Sequence, residues 1–330
     1  MTRAVRLGLA ACLLACASAC DRAVSSTAGA PGVAVGIAIP SHVHAVAWIA
    51  ADRGLFHDAG VAARVEVLGG SATAARSLLA GSTDVGLLGG DAVIKADAAG
   101  GDLVIFAGLV NRFYHRLVGR PGIDGVAALR GGRIGLPFFG GPQDMAVRYS
   151  LLAHGLRYGD DVEILSLGRE MDGIAALIRG DIEATTSQTP PGRLAALGLT
   201  VLDDLPARAI PFPYMVVAVR REYLARHRDR VRAVLGALCR ATAFYRDQPE
   251  ASLALIAGHL HGSDTAGVAG ERYDSGGPAL ISWPPTPDPA GLATVIDFLG
   301  PERARGLPPD SVVDLDLLAE LRGQGECGGP

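Results

Sequence analysis

The chain has 330 residues, 49% of them hydrophobic and 19% charged, with a formal net charge of −4. Its apolar content excludes a disordered chain, its length fits two domains of roughly 150 residues each, and its mild acidity excludes a broad basic footprint for nucleic acid. Lys95 is the only lysine, Asn111 the only asparagine, and glycine reaches 44 residues, a bias that GC-rich coding explains without invoking function.

Arg3 and Arg6 precede a charge-free run from Leu7 to Cys20, which Asp21 and Arg22 close. Fourteen helical residues span about 21 Å, short of the ~30 Å hydrocarbon core, so residues 1–19 read as a cleaved signal peptide. Ala17-Ser18-Ala19-Cys20 is similar to a bacterial lipobox, with Cys20 as the lipidated new N-terminus. Leu13-Leu14-Ala15-Cys16 fits as well, and ordinary cleavage without a lipid is the third option. Losing Arg3 and Arg6 with the leader turns −4 into −6. Residues 20–32, rich in small and hydroxyl side chains, read as a flexible tether.

Strand and helix patterns then alternate. Val33–Ile39 predicts a strand, Val43–Ala51 a helix, Arg64–Leu68 a strand and Ala72–Ala80 a helix with Ser71 as its N-cap. Val85–Leu88 predicts a strand followed by a helix that Asp91 can cap, and Leu103–Val110 another strand. The order predicts a mainly parallel sheet covered on both faces. A second, smaller unit repeats the pattern. Its strands fall at Arg133–Leu136, Val162–Leu167 and Ile182–Thr186, and its helices after Gly140-Gly141-Pro142, over Met171–Ile178 and from Pro190-Pro191. Pro211-Phe212-Pro213 reads as a hinge before a strand at Met215–Val219.

Beyond residue 221 the chain turns helical. Val231, Val234, Leu235, Leu238, Thr242 and Tyr245 share one face of a helix, opposite an arginine face. Helices near 290–299 and 314–322 finish the chain. Cys239 reads as a buried small hydrophobe and Cys327 lies in a Gly-rich tail, so no disulfide framework is expected; no metal spacing and no cofactor motif occurs.

In open α/β sheets a ligand binds beyond the carboxyl ends of the strands, where helix N-termini favour anions. The candidate contacts are therefore Ser41, His42, His44, Trp48, Gly70, Ser71, Gly90, Asp91, Asn111 and Tyr114 in the first unit, and Gly140, Gly141, Gln143, Asp144, Arg169, Thr189 and Tyr214 beyond it. Each has a structural alternative, as a cap, a turn or a core side chain. Asp91, Asp144 and Glu170 near one cleft favour a ligand with a donor or positive group, whereas an oxyanion would use Ser71, Gly141 and Arg112 or Arg169. The GxSxG, Walker, GxGxxG and HExxH patterns are absent, so no catalytic residue is expected.

Five segments carry a family resemblance. Trp48 to Val61 resembles the "A-x-x-x-G-L/F-F-x-x-x-G-L-x-V" run of bacterial solute-binding proteins, and Gly69-Gly70-Ser71 through Leu79 to Gly86 their "aLaaGevDvg" segment. Ile123–Gly135, with Ala128 and Gly132 departing from the usual Asp and Lys, Ala175–Ala184 and Val313–Leu318 are similar to later segments in family order. The family is that of the nitrate, sulfonate, taurine and thiamine-precursor binding components of ABC importers. It implies the two-lobed type 2 periplasmic-binding fold, each lobe a mixed, mainly parallel sheet flanked by helices and joined by two crossing segments. The lobes would be residues 33–116 with 215–330, and residues 117–214.

Ser41–Ala50 also resembles the "N-x-x-H-x-x-x-Y-V-A" segment of the pyrimidine-binding branch, in which the residues at His44 and Trp48 help hold a thiamine-type pyrimidine; Ser41 departs from its asparagine. The implied function is an exported, lipid-anchored, monomeric protein that hands a small organic solute to an importer's permease and ATPase. The alternatives are a pyrimidine-forming or menaquinone-pathway enzyme of the same fold, or a sensing module for a signalling receptor.

Overall fold

The computed structural model describes residues 32–260, 277–304 and 307–328. The leader, the tether and Cys20 lie outside the described residues. Two five-stranded mixed sheets are flanked by helices. The first contains β1 (Gly32–Ile37), β2 (Ala62–Val67), β3 (Val85–Leu88) and β4 (Leu103–Arg112). The second contains β5 (Arg116–Gly119), β6 (Arg133–Leu136), β7 (Glu163–Ser166), β8 (Ala184–Ser187) and β9 (Thr200–Asp203). β10 (Pro211–Arg220) returns to the first.

The strand orders are β2-β1-β3-β10-β4 and β7-β6-β8-β5-β9. In the first sheet β1 is parallel to β2 and β3, but β10 runs antiparallel between β3 and β4. The βαβ reading placed the first four strands correctly in type, yet could not show that a strand a hundred residues later would part β3 from β4. The second sheet repeats the plan, with β5 antiparallel to both β8 and β9.

Helices α1 (Ala45–Asp52), α2 (Leu55–Asp58), α3 (Ser71–Ala80) and α4 (Gly90–Ala98) accompany the first sheet, and α5 (Pro142–Ala153), α6 (Glu170–Arg179) and α7 (Pro191–Ala196) the second. Next come α8 (Arg221–Arg226), α9 (Arg228–Asp247), α10 (Pro249–His259), α11 (Gly277–Leu280), α12 (Pro289–Ala304) and α13 (Asp316–Gly323). Among the described residues no helix is long and apolar enough to cross a membrane.

One large core unites the first sheet with α1 and α9, through Ile37, Ile49, Leu87, Phe106, Val217 and Leu238. Each such side chain contributes roughly 1.5–3 kcal/mol by burial. The second sheet has two smaller cores, around Ile134 and Leu151 and around Ile174 and Leu177. The buried stripe of α9 is the one its periodicity predicts. Its arginine face pairs with acids, Arg228 with Glu320 and Arg240 with Glu326.

The cysteine expectation fails. Cys239 and Cys327 form a disulfide, with Cα atoms 5.2 Å apart across 88 residues of sequence. After α13 the Gly-rich tail turns back through a Glu326 N–H···O Leu321 bond of 2.9 Å, which brings Cys327 onto α9. Nothing in the local pattern of either cysteine signals that return.

The chain crosses between the sheets twice, over residues 113–115 and 204–210. Phe113 stacks on Phe212 with ring centroids 4.0 Å apart, and Tyr114 meets Tyr214 at 4.2 Å. The sequence-predicted hinge Pro211-Phe212-Pro213 is already the start of β10, paired at Pro211 with Arg112; the second crossing precedes it.

Candidate functional site

The carboxyl ends of the parallel strands in both sheets face one another and are closely apposed. A Cβ on Gly89 would stand 2.6 Å from Cγ of Pro142, and one on Gly70 would stand 3.6 Å from the Phe138 side chain. Glycine is required at the first point because a proline ring cannot give way. Ser71 and Gly141 approach across the same seam, at 3.6 Å from the Ser71 hydroxyl to a Gly141 Cβ.

Between the apposed ends lies a cavity of about 210 Å³. Residues 39–41 after β1 and Val67 and Gly69 around the end of β2 form one wall; Pro137, Phe138, Gln143, residues 168–171 and Gln188 form the other. It is smaller than the about 300–1,000 Å³ that drug-sized ligands occupy, so it suits a small solute.

Glu170 is the electrostatic centre of the second wall. Its Oε1 accepts from the Ser187 hydroxyl at 2.9 Å and from the Gln188 backbone N–H at 3.0 Å, and its Oε2 accepts from Gln188 Nε2 at 2.9 Å. Those bonds fix the Gln188 amide and leave its buried Oε1 without a hydrogen-bond partner among the described residues. Glu170 Oε2 also stands 3.8 Å from Nε2 of the buried His115, whose Nδ1 meets the Tyr214 hydroxyl at 2.8 Å. A polar chain thus runs from β10 in the first sheet to α6 and β8 in the second. Burial, aided by Tyr114, Glu170 and Asp91, pushes the Tyr214 hydroxyl well above the usual phenol range, so it stays protonated.

Ser41 closes the first wall, and its hydroxyl lies 2.8 Å from Nδ1 of His44. Burial lowers the His44 pKa to about 4, against a smaller opposing effect from the Leu87 backbone. The imidazole is therefore neutral at pH 7. His42 packs edge-on to Tyr114, ring centroids 5.9 Å apart.

The other predicted residues divide. Ser41, Gln143 and Arg169 line the cavity, and Gly70, Gly140 and Gly141 form the seam beside it. Tyr114 and Tyr214 join the polar chain at the crossing strands. Ser71 is the first residue of α3 rather than its cap, and its hydroxyl accepts the Gly89 N–H at 3.0 Å. Asp91 is not the cap residue either, since Gly89 precedes α4; its full burial raises its pKa, and its pairing with Lys95 at 2.7 Å opposes that rise. Gly90 abuts Pro213, 2.6 Å from a Cβ built there.

Asp144 accepts the Gly140 N–H at 2.9 Å and pairs with Arg148, a local helix-start role. Arg169 is largely exposed and bound to Asp172. Thr189 donates its N–H to Ser187 at 3.1 Å, holding the end of β8. Trp48 stacks on His259, centroids 4.8 Å apart, in the layer of C-terminal helices, and does not line the cavity. Asn111 bonds Ser282, the Thr286 carbonyl and the Asp288 N–H, so it anchors residues 282–288.

His115, Ser187 and Gln188 are absent from the sequence-based set. A hydroxyl-rich strand, Ala184-Thr-Thr-Ser187, was the available signal: apolar residues are the norm in a buried strand, and Thr185, Thr186 and Ser187 are all buried. His115 gave none, because only the return of β10 gives it a partner.

Matches to known proteins agree with this geometry. A curated binding protein of Brucella abortus is 26% identical over 226 residues, 66% of this chain and 67% of the relative. A structure from Bordetella bronchiseptica superposes with a TM-score of 0.75 at 20% identity, covering 89% of this chain and 97% of that one. The periplasmic aliphatic sulphonate binding protein of Escherichia coli gives 0.65 at 21%, covering 86% and 95%. These structures share the two-lobed periplasmic-binding fold that the family resemblance implies. The model of the family described as NMT1/THI5 like matches residues 41–252, and the chain belongs to that family.

Proposed function

We propose that the protein is an extracytoplasmic solute-binding protein that captures a small organic molecule between its lobes and delivers it to the permease and ATPase of an ABC importer. The observation that carries this reading is the 210 Å³ cavity lined by strand ends of both sheets. A solute there touches both lobes, so its binding energy favours the closed form. The leader, the lipobox-like Cys20 and the Cys239–Cys327 disulfide support an exported, lipid-anchored protein in an oxidising compartment.

The chemistry of the walls favours a ligand with N–H donors, of the size of a substituted aminopyrimidine, over nitrate or a sulfonate. Glu170 and the buried Gln188 Oε1 are acceptors. Arg169, the cation on the lining, is exposed and already paired with Asp172. A bare anion would meet a carboxylate with no buried cation to offset it.

Thermal unfolding with hydroxymethylpyrimidine, taurine and nitrate tests the reading. A bound solute at 100 Kd stabilises by about 2.7 kcal/mol. Stabilisation by the pyrimidine alone is expected; stabilisation by taurine or nitrate alone would overturn the donor assignment, and none by any small solute would overturn the binding reading.

One observation favours an enzyme of the same fold: the Ser41 hydroxyl lies 2.8 Å from Nδ1 of His44. Ester hydrolysis that is lost in Ser41→Ala would establish it.

A further inference from the structure

We propose that a second cavity, at the seam between α4 and α12 on one side and α5 on the other, binds a compact organic anion with an apolar body. It measures about 610 Å³, within the range of small-molecule sites, and shares no lining residue with the polar cavity. Phe139, Met145, Phe298 and Leu299 give it apolar walls, and Phe139 is half exposed. An exposed phenylalanine beside a second ring is a surface that an apolar body would cover.

Two cations point to the charge of the head. Lys95, the single lysine of the chain, lines this cavity and spends one of its three N–H donors on Asp91 Oδ2 at 2.7 Å. Arg148, also on the lining, uses Nε on Asp144 at 3.3 Å and lies over the Tyr158 ring. Asp144 and Glu302 on the same lining offset these cations, so the head binds through the N–H donors that Lys95 and Arg148 do not spend on carboxylates rather than through net charge. Asp91 sits behind Lys95, fully buried. Lys95 therefore joins the seam cavity to a buried carboxylate whose charge acts on Tyr214.

Half of the wall comes from each sheet's helices, so an occupant holds the lobes together. Any solute that also favours closure then binds more tightly with the seam filled, and the reverse holds equally. That linkage rests on the proposed closure around a solute; the site itself does not.

Isothermal titration of the full chain with naphthoate and with uncharged naphthalenemethanol tests the site. Naphthoate should bind with one-to-one stoichiometry. Lys95→Met should weaken naphthoate about fivefold and naphthalenemethanol by less than about twofold. Because Lys95→Met strips a buried carboxylate of its partner, Phe139→Asp supplies a second variant at an exposed position; it should weaken naphthoate about tenfold. Gln188→Ala, in the polar cavity, should leave naphthoate unchanged. Naphthoate should also slow amide hydrogen exchange at residues 89–91 and 139–141. No binding at millimolar naphthoate, full binding by Phe139→Asp, loss of binding in Gln188→Ala, or unchanged exchange at the seam would each overturn the proposal. Occupation of the polar cavity is read separately, by titrating hydroxymethylpyrimidine, whose binding Gln188→Ala should weaken.

Discussion

β3 and β8 hold the same place in their sheets. Each has a parallel neighbour on one side, β1 or β6, and an antiparallel one on the other, β10 or β5. Yet β3 reads Val-Gly-Leu-Leu and β8 reads Ala-Thr-Thr-Ser, and both are buried throughout. Leu87 and Leu88 disappear into the large core of the first sheet. Thr185 instead bonds the Gly135 carbonyl at 2.8 Å, and Ser187 bonds Glu170. One strand plan therefore does two jobs. The first sheet, welded to α1 and α9, is the frame; the second, with its divided core, carries the polar wall of the cavity.

Substitutions in the frame should cost stability first. Cys239→Ser with Cys327→Ser removes a cross-link spanning 88 residues of sequence. In the chain-entropy model its loss costs about 4–5 kcal/mol, read as a fall in the denaturant midpoint. An unchanged midpoint would mean that the C-terminal tail is held by α9 contacts alone. Leu87→Ala, in the same frame, should cost about 2–5 kcal/mol of unfolding free energy and leave ligand selectivity intact.

Substitutions in the polar wall should reverse that balance. Glu170→Ala leaves Ser187 and the Gln188 N–H without their acceptor, costing about 1–3 kcal/mol and loosening the Gln188 amide. Binding should fall more than stability, and a variant that binds normally would remove Glu170 from the site. Gly89→Ala should hold the seam open against Pro142, raising the radius of gyration in solution scattering; an unchanged radius would mean that the seam absorbs the methyl group.

A further expected effect is a pH dependence. His44 has its pKa lowered to about 4 in the folded chain, against about 6.5 when unfolded. The unfolded state binds the extra proton between those values, so this stability is full above pH 6.5 and is lost as pH falls toward 4. The ceiling is about 3 kcal/mol, and wild type minus His44→Gln isolates it from the opposite contribution of Asp91, whose pKa is raised.

Periodicity and βα punctuation made the two units readable, because helix and strand are local patterns: β3 and β6 fall on the predicted residues and α9 buries the predicted stripe. What escaped was set by distant returns of the chain. β10 inserts beside β3, Cys327 comes back to α9, and Asn111 finds its partners about 170 residues on. The site was legible as strand ends, not as side chains. Ser41, Gln143 and Arg169 were visible there, while His115 and Gln188 become meaningful only once the two sheets face each other.

The central claim is that the second sheet supplies an acceptor-rich wall for a donor-bearing solute. Titration calorimetry of hydroxymethylpyrimidine against wild type and Gln188→Ala tests it most directly. The account predicts one-to-one binding that weakens about tenfold in the variant, with taurine and nitrate silent on both. Equal affinity in wild type and variant, or tight binding of taurine or nitrate, would contradict it.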